Sequence, residues 1–232
     1  SKLLKEGDFS MEVILISSPS KKKNEVSTIR RIFEMGLSRF HVRKPDWSLD
    51  ELRKFLDEFP DDCIERTVIH RRPELLGEYP FAGYHLSSKE QYLEKEIDGT
   101  ISRSFHHLDE LITSKEKLDY AFLGPIFDSV SKQGYNSAFP ASQLRSFFGD
   151  RRKLQVELPR IVALGGIVPE KVRVSLSLGF DGVAALGGVW GSRYPQKAFM
   201  RYRTAIPSRS GPENSSWLED IATNGKNDSS RP

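Results

Sequence analysis

Eight short runs of β-branched and apolar residues recur along the chain, separated by stretches with helical spacing. The runs lie at 12–18, 39–44, 66–71, 83–87, 100–105, 119–125, 160–166 and 181–188. Strands that alternate with helices are expected to run parallel, because each connection is a crossover. Two architectures fit this pattern, a closed (β/α)8 barrel and an open doubly wound sheet. The count of eight and the even spacing favour a compact (β/α)8 TIM barrel.

The intervening stretches carry helix signals. Residues 24–36 place apolar side chains at helical spacing and end at Gly36, a common stop signal. Residues 48–59 open with Ser48 and have Glu51 three residues later, which predicts a capping box. The pattern also predicts helices at 107–117 and 169–179, and leaves room only for short ones in 73–79 and 88–95.

The chain divides into three parts by composition. Residues 1–10 precede the first strand and are expected to be an N-terminal extension, and residues 11–206 hold the eight units of the barrel. Residues 207–232 are rich in Ser, Pro, Gly and Asn and poor in core residues. Such a segment cannot bury enough apolar surface to fold, so it is predicted to be a disordered tail.

Charge and cysteine content exclude several classes of protein. Lys and Arg total 35 against 32 Asp and Glu, and a surplus of three does not indicate a nucleic-acid binder. The single cysteine, Cys63, excludes a disulfide scaffold and a cysteine-metal site and favours the reducing cytoplasm. No apolar run approaches membrane-spanning length, so no membrane partner is expected. The cations at predicted strand ends suit an anionic, phosphorylated small molecule; they are Arg43, Lys44, Arg71, Arg72, Arg103 and Lys132.

Histidines gather where the predicted strands end. In a (β/α)8 barrel the functional site lies at the carboxyl ends of the strands. All five histidines, at 41, 70, 85, 106 and 107, lie at or just after such ends. A histidine cluster suits metal binding, acid–base chemistry or phosphate contact, whereas histidines that point into the barrel would be hydrogen-bonded core residues. No pair of histidines stands at zinc-ligand spacing beside acidic residues, which disfavours a zinc site.

Three loops are candidates for phosphate binding. Gly165-Gly166 and Gly187-Gly188 follow the seventh and eighth strands, where barrels of this type often place a phosphate against backbone N–H groups. Tight turns without a ligand are the alternative interpretation. The loop after the sixth strand runs from Ile126 to about Phe139, and its length and Gly134 suit a lid. It carries two hydroxyls and one ammonium suited to phosphate oxygens, those of Ser129, Ser131 and Lys132.

The order of motifs along residues 12–200 resembles one known family. The matching segments are FHVRK, VIHRRPEL, GYHLSSKE, ISRSFHHLDEL, DYAFLGPIFDSVSK, IVALGGI and DGVAALGGV. Each segment is weakly specific, but seven in order resemble the thiamine-phosphate synthase and thiazole tautomerase family of (β/α)8 barrels. The match is best at DYAFLGPIFDSVSK, which is similar to the family's Asp-Tyr-x-x-x-Gly-Pro-x-Phe-x-Thr-x-Thr-Lys.

This resemblance implies a transferase. Such synthases join a pyrimidine-methyl diphosphate to a thiazole phosphate, giving thiamine monophosphate and pyrophosphate, with Mg²⁺ as cofactor and a homodimer as a possible assembly. Carried over by position, the implied catalytic residues are Arg43, Ser104 and Lys132. The implied substrate-binding residues are His41, His70, Arg71, Ser129 and Ser131 for the diphosphate end, and Gly165, Gly166, Gly187 and Gly188 for the thiazole phosphate.

The chain departs from the family at the metal site and in strand 2. The family's Gln is His41, and its strand-2 Lys position is Pro45, with Lys44 one place early on the opposite face. The family's Asn-Asp pair is His70-Arg71, and its second metal-binding Asp aligns with Glu90, the candidate Mg²⁺ ligand. We therefore expect Arg71 and the histidines to neutralise part of the diphosphate charge.

Two other functions stay open. A thiazole tautomerase-like isomerase is one, although the position of that branch's catalytic histidine holds Pro125 here. A non-catalytic phosphate-binding relative is the other, because the fold does not determine the function.

Overall fold

A computed structural model describes residues 12–90, 96–127, 139–151, 154 and 157–207 of the chain. Within them, eight parallel strands pair in sequence order and β8 pairs with β1, closing the barrel. This confirms the (β/α)8 barrel and rules out the open sheet. The strands are β1 (Glu12–Ile16), β2 (Arg39–Val42), β3 (Thr67–His70), β4 (Gly83–Leu86), β5 (Thr100–Phe105), β6 (Tyr120–Leu123), β7 (Arg160–Ala163) and β8 (Gly182–Ala185).

Helices cover the outside of this barrel. The predicted capping box is present, because Ser48 Oγ accepts the Glu51 amide at 3.2 Å and Glu51 Oε2 accepts the Ser48 amide at 2.9 Å. No helix in the described ranges has the length and apolar character needed to cross a membrane. The helices are α1 (Glu25–Glu34), α2 (Leu49–Leu56), α3 (Asp61–Ile64), α4 (Leu108–Thr113), α5 (Ala141–Asp150), α6 (Pro169–Leu178), α7 (Gly187–Trp190) and α8 (Pro195–Ala205), with a 3-10 helix at Pro73–Gly77.

Some expected segments are shorter than predicted, and others lie outside the described residues. The helix expected over 107–117 ends at Thr113, because Ser114 adopts an extended ψ of 131°. The described part of 88–95, residues 88–90, forms a turn instead of a helix. The extension 1–10, the tail after Pro207 and the loop residues 128–138 are outside the described part of the chain.

Two apolar layers hold the fold together. The outer one fills the space between strands and helices, and the inner one fills the barrel with Ile14, Ile16, Tyr120, Phe122, Val162 and Ala184. Because successive side chains of a strand point to opposite faces, each strand supplies both layers. Every residue of β2, β3, β4, β6 and β8 is accordingly buried. Polar side chains on the inward positions of β2 to β5 therefore meet inside the barrel.

Candidate functional site

Three histidines from neighbouring strands meet inside the barrel. His70 ends β3 and is in register with His85 of β4, and their rings stack with centroids 4.1 Å apart. His41 of β2 lies beside them, with its Nδ1 2.9 Å from His70 Nε2. The three residues are 0 to 8% exposed, and His70 is the most exposed. The structure therefore brings together two predicted site residues and a third histidine that had no assigned role.

Hydrogen bonds engage nearly all the nitrogens of this histidine cluster. The Tyr120 hydroxyl lies 2.7 Å from His41 Nε2. The two nitrogens of His85 lie 2.9 Å from Ser102 Oγ and 3.0 Å from Ser104 Oγ. Within the described part of the chain, five of the six ring nitrogens thus have a partner, and the sixth is His70 Nδ1. The predicted catalytic residue Ser104 is placed here as a partner of His85.

Burial keeps all three histidines neutral. It is the largest cause that lowers the pKa of each, because removal from water disfavours the charged form. Arg71, Arg103 and Arg43 add repulsion at His85, whose pKa falls to about 3. The cluster can donate and accept hydrogen bonds but adds no positive charge. The expectation that the histidines neutralise part of a bound diphosphate stays a prediction.

The geometry of the cluster also bears on metal binding. One nitrogen from each of His41, His70 and His85 lies within 4.8 Å of the others. However, both nitrogens of His41 and both nitrogens of His85 lie within hydrogen-bond distance of other side chains. Zinc ligands are arranged tetrahedrally around one ion. The arrangement is therefore that of a hydrogen-bonded cluster.

Two arginines stand above the cluster, where β2 and β3 end. The Arg43 amide donates to Ser17 Oγ at 2.8 Å, and the Ser17 hydroxyl donates to the Arg43 carbonyl at 3.1 Å. Arg71 is exposed and has a left-handed φ of 56°. Burial, followed by repulsion from Arg71, lowers the pKa of Arg43. The Asp46 carboxylate acts in the opposite direction and raises the pKa of Arg43. Among the described residues, neither guanidinium forms an ion pair within 4.0 Å.

Lys44 points away from this site. Its ammonium lies 2.7 Å from both carboxylate oxygens of Glu25 in α1. The alternation of side chains along a strand puts Arg43 and Lys44 on opposite faces. Lys44 therefore does not replace the family's strand-2 lysine.

Glu90, the candidate Mg²⁺ ligand, has both oxygens occupied. Oε1 accepts the Tyr84 hydroxyl at 2.7 Å, and Oε2 accepts the Ser87 amide at 2.6 Å. Burial raises its pKa, but these hydrogen bonds outweigh burial and lower it overall. Mg²⁺ prefers several oxygen ligands in an octahedron. The family's metal ligands align with residues just after β3 and β4. In the described residues 70–72 and 87–90, Glu90 is the one carboxylate, and Arg71 adds a positive charge. These residues therefore do not fit a Mg²⁺ site.

Glycine turns follow β7 and β8, at the same end of the barrel. Gly165 and Gly166 have left-handed φ values of 89° and 65°. A Cβ on Gly165 would lie 2.7 Å from Pro125, so the turn after β7 packs tightly on the loop after β6. Gly187 begins α7, whereas a Cβ on Gly188 would meet the Tyr202 hydroxyl, so Gly188 is explained by packing. Ser129, Ser131 and Lys132 lie outside the described residues.

Sequence reasoning did not single out two residues of the site. Ser17 holds Arg43, and Tyr120 holds His41 across the barrel. The alternation of side chains along a strand predicts that Tyr120 lies on the inner face of β6, but not which residue it contacts there. No pattern in the sequence indicates that a serine just after β1 bonds the backbone of Arg43.

Comparison with known proteins gives related sequences and folds. The family model described as thiamine monophosphate synthase matches residues 13–189. A thiamine-phosphate synthase of Methanosarcina barkeri is 27% identical over 198 residues, which cover 82% of this chain and 86% of that protein. The crystal structure of a thiamine phosphate pyrophosphorylase from Bacteroides thetaiotaomicron has a TM-score of 0.72 at 25% identity, over 87% of this chain and 100% of the other. The structure of a thiamine phosphate pyrophosphorylase from Pyrococcus furiosus has a TM-score of 0.65 at 24% identity, over 84% of this chain and 95% of the other, and shares the fold.

Proposed function

The chain belongs to the thiamine monophosphate synthase family, and we propose that its barrel mouth joins a pyrimidine-methyl diphosphate to a thiazole phosphate. The observation that carries this proposal is the pair of guanidinium groups of Arg43 and Arg71, which repel each other, form no ion pair within 4.0 Å among the described residues, and both act on the buried ring of His70. Such a site favours an anion with several oxygens. The type of reaction is inferred from the names of the matching relatives. The positive charges of Arg43 and Arg71 suit a reaction in which diphosphate leaves.

The reaction itself requires little proton transfer. The bond between the pyrimidine methylene and the diphosphate oxygen breaks, and its electron pair leaves with the diphosphate. The thiazole nitrogen then donates its lone pair to the methylene cation, which gives thiamine monophosphate and free pyrophosphate. The site must therefore stabilise the departing negative charge, which is the task of cations and N–H donors. We assign this task to Arg43 and Arg71, joined by Ser129, Ser131 and Lys132.

The thiazole phosphate is assigned to the opposite side of the mouth. Gly165 and Gly166 after β7 and Gly187 at the start of α7 would offer backbone N–H groups to its oxygens. α7 is fixed in place because Trp190 Nε1 donates to the Ile16 carbonyl at 2.7 Å. The two substrates would thus meet above the inner core of the barrel. A homodimer and a cytoplasmic location, both expected from the sequence, stay part of this proposal.

The cofactor is where this chain is proposed to differ from its family. The described residues at the ends of β3 and β4 do not fit Mg²⁺, and Arg71 occupies the position of one family metal ligand. We therefore assign the neutralisation of the diphosphate to guanidinium groups, with no step through a metal. The tautomerase and the non-catalytic alternatives are not favoured by the relatives that match.

An assay with both synthase substrates tests the proposal. The full chain is expected to produce thiamine monophosphate and pyrophosphate, and to retain most of its rate in excess chelator. Arg43→Gln should lower kcat/KM by roughly a hundredfold or more, since it removes a charge that meets the leaving group. Arg31→Gln on the exposed face of α1 is the matched control. No product from the wild-type chain would refute the function, and strict dependence on Mg²⁺ would refute the assignment to guanidinium groups.

A further inference from the structure

Polar and apolar side chains occupy opposite halves of the barrel interior. On β2 to β5 the inward positions hold buried polar residues, which are His41, His70, His85 and Ser102. The inner apolar layer comes from the other four strands, β6, β7, β8 and β1. The interior therefore has a polar wall on the side of the two arginines, and an apolar wall on the side of the glycine turns.

The apolar wall reaches the mouth in two leucines, Leu164 and Leu186, which we call the leucine pair. Each comes two residues after a member of the inner layer, Val162 of β7 or Ala184 of β8, so its side chain also points inward. Both leucines pack on the inner layer but are only partly buried. Because each directly follows the end of its strand, its exposed part faces the mouth.

Backbone hydrogen bonds hold both leucines in place. The Leu164 amide donates to the Leu123 carbonyl at 2.9 Å, and the Leu164 carbonyl accepts the Ile126 amide at 2.9 Å. The Leu186 carbonyl accepts the Trp190 amide at 3.0 Å in the first turn of α7. The barrel therefore presents the leucine pair from a hydrogen-bonded backbone.

The reaction assigned to the mouth gives this apolar surface a task. Once the bond to the diphosphate breaks, either the thiazole nitrogen or a water molecule can capture the methylene cation. In the second case the water oxygen donates a lone pair to the methylene and then loses a proton, which gives a pyrimidine-methyl alcohol instead of thiamine monophosphate. Enzymes prevent such side reactions by excluding water from the reacting atoms. Leucine side chains offer water no hydrogen bond, so a surface made of them does not hold water in place.

We propose that Leu164 and Leu186 are specificity-determining residues, which keep water from the methylene cation and so direct it to the thiazole nitrogen. The inference rests on the proposed function and adds to it a control over which nucleophile reacts. The leucine pair directly precedes the glycine turns after β7 and β8, and the cationic site formed by Arg43 and Arg71 lies on the other side of the mouth. The arginines would then stabilise the leaving group, and the leucines would decide the fate of the cation.

The ratio of the two products tests this inference. Leu164→Asn and Leu186→Asn each put an amide that binds water next to the reacting atoms. We expect the ratio of alcohol to thiamine monophosphate to rise roughly tenfold, the lower end of what one apolar contact contributes to discrimination. In ¹⁸O-labelled water the label should enter the alcohol, which separates capture at carbon from hydrolysis at phosphorus. A blank without protein corrects for spontaneous hydrolysis.

Two control variants separate this role from a structural one. Leu164→Met keeps an apolar side chain and should keep the product ratio of wild type. Leu176→Asn changes a partly buried leucine of α6 that packs on the outer layer, so it should lower the melting temperature without changing the ratio. The ratio is independent of the folded fraction, because both products come from folded protein. If neither Leu164→Asn nor Leu186→Asn differs from Leu176→Asn in this ratio, the inference is overturned.

Binding of thiamine monophosphate gives a second readout, which needs no turnover. Rings that cover the leucine pair bury apolar surface, so calorimetry at several temperatures should give a negative heat-capacity change of binding. The double variant Leu164→Asn/Leu186→Asn should make that change less negative, and Leu176→Asn should leave it as in wild type. A chain that forms no product but shows this difference would refute the proposed function and support the leucine pair as the apolar cover. An active chain with an unaltered product ratio would support the function and overturn the inference, and a chain that shows neither effect would overturn both.

Discussion

The ammonium of Lys44 lies 2.7 Å from both carboxylate oxygens of Glu25, and neither side chain is more than 3% exposed. The Trp47 ring covers the ammonium, with its centroid 4.4 Å away. Burial lowers the pKa of Lys44, and the bonds from Glu25 act in the opposite direction. The pair joins the end of β2 to α1 on the face opposite Arg43. It therefore supports the backbone that presents the cationic site.

Removing one partner of this pair should be costly. Lys44→Met leaves the Glu25 carboxylate buried and uncompensated, and we expect the free energy of unfolding to fall by about 3–5 kcal/mol. The double variant Lys44→Met/Glu25→Leu should recover most of that loss, because replacing a buried pair with apolar groups is often close to neutral. Urea unfolding of both variants measures this.

The control is the exposed pair of Arg31 and Glu34, whose side chains are 67% and 63% exposed. Arg31→Met should change the free energy of unfolding by less than about 0.5 kcal/mol. A Lys44→Met chain as stable as the Arg31→Met chain would show that the buried pair contributes little.

Most of the fold could be predicted from local pattern, and part of the site could not. The strand runs and the Ser48 capping box depend on residues close in sequence, which is where periodicity and capping rules apply. The bond between Tyr120 and His41 joins positions 79 apart, and only closure of the barrel brings them together. The pattern put histidines at strand ends but could not show that burial would keep them neutral.

Stability should depend on pH through the buried histidines. The unfolded chain binds a proton on His41 with an ordinary pKa near 6.5, whereas burial lowers the pKa of His41 in the folded state. The contribution of His41 to the free energy of unfolding is therefore fully present above pH 6.5. As the pH falls below 6.5, that free energy decreases by about 1.4 kcal/mol per pH unit. His41→Gln should reduce the slope of the free energy of unfolding between pH 6 and 5 by that amount.

Urea unfolding at a series of pH values gives these slopes. His107→Gln is the matched control, because His107 is exposed, and it should keep the slope of wild type. Equal slopes in the wild-type and His41→Gln chains would contradict a neutral His41 in the folded barrel.

Ser17 should matter to substrate binding although it does not reach the substrate itself. Ser17→Ala removes the hydroxyl that bonds both the amide and the carbonyl of Arg43. The Arg43 amide is part-buried, so leaving it unpaired should cost about 1 kcal/mol of stability, and a displaced Arg43 should weaken pyrophosphate binding roughly tenfold. Calorimetry with pyrophosphate and thermal unfolding check the two effects. Ser177→Ala, on the exposed face of α6, should leave both unchanged, and unaltered binding by Ser17→Ala would contradict the positioning role.

Two glycine-to-alanine substitutions should act in opposite directions. Gly165 has a φ of 89°, and an added Cβ would lie 2.7 Å from Pro125, so Gly165→Ala must shift the turn after β7. We expect it to lower the free energy of unfolding by about 1–3 kcal/mol. Gly149 lies in α5 with nothing within 4 Å of an added Cβ. Gly149→Ala should therefore raise the free energy of unfolding by about 0.5–1 kcal/mol, through lower chain entropy in the unfolded state. Parallel thermal unfolding of both variants measures this, and a Gly165→Ala chain as stable as Gly149→Ala would show that the turn does not need glycine.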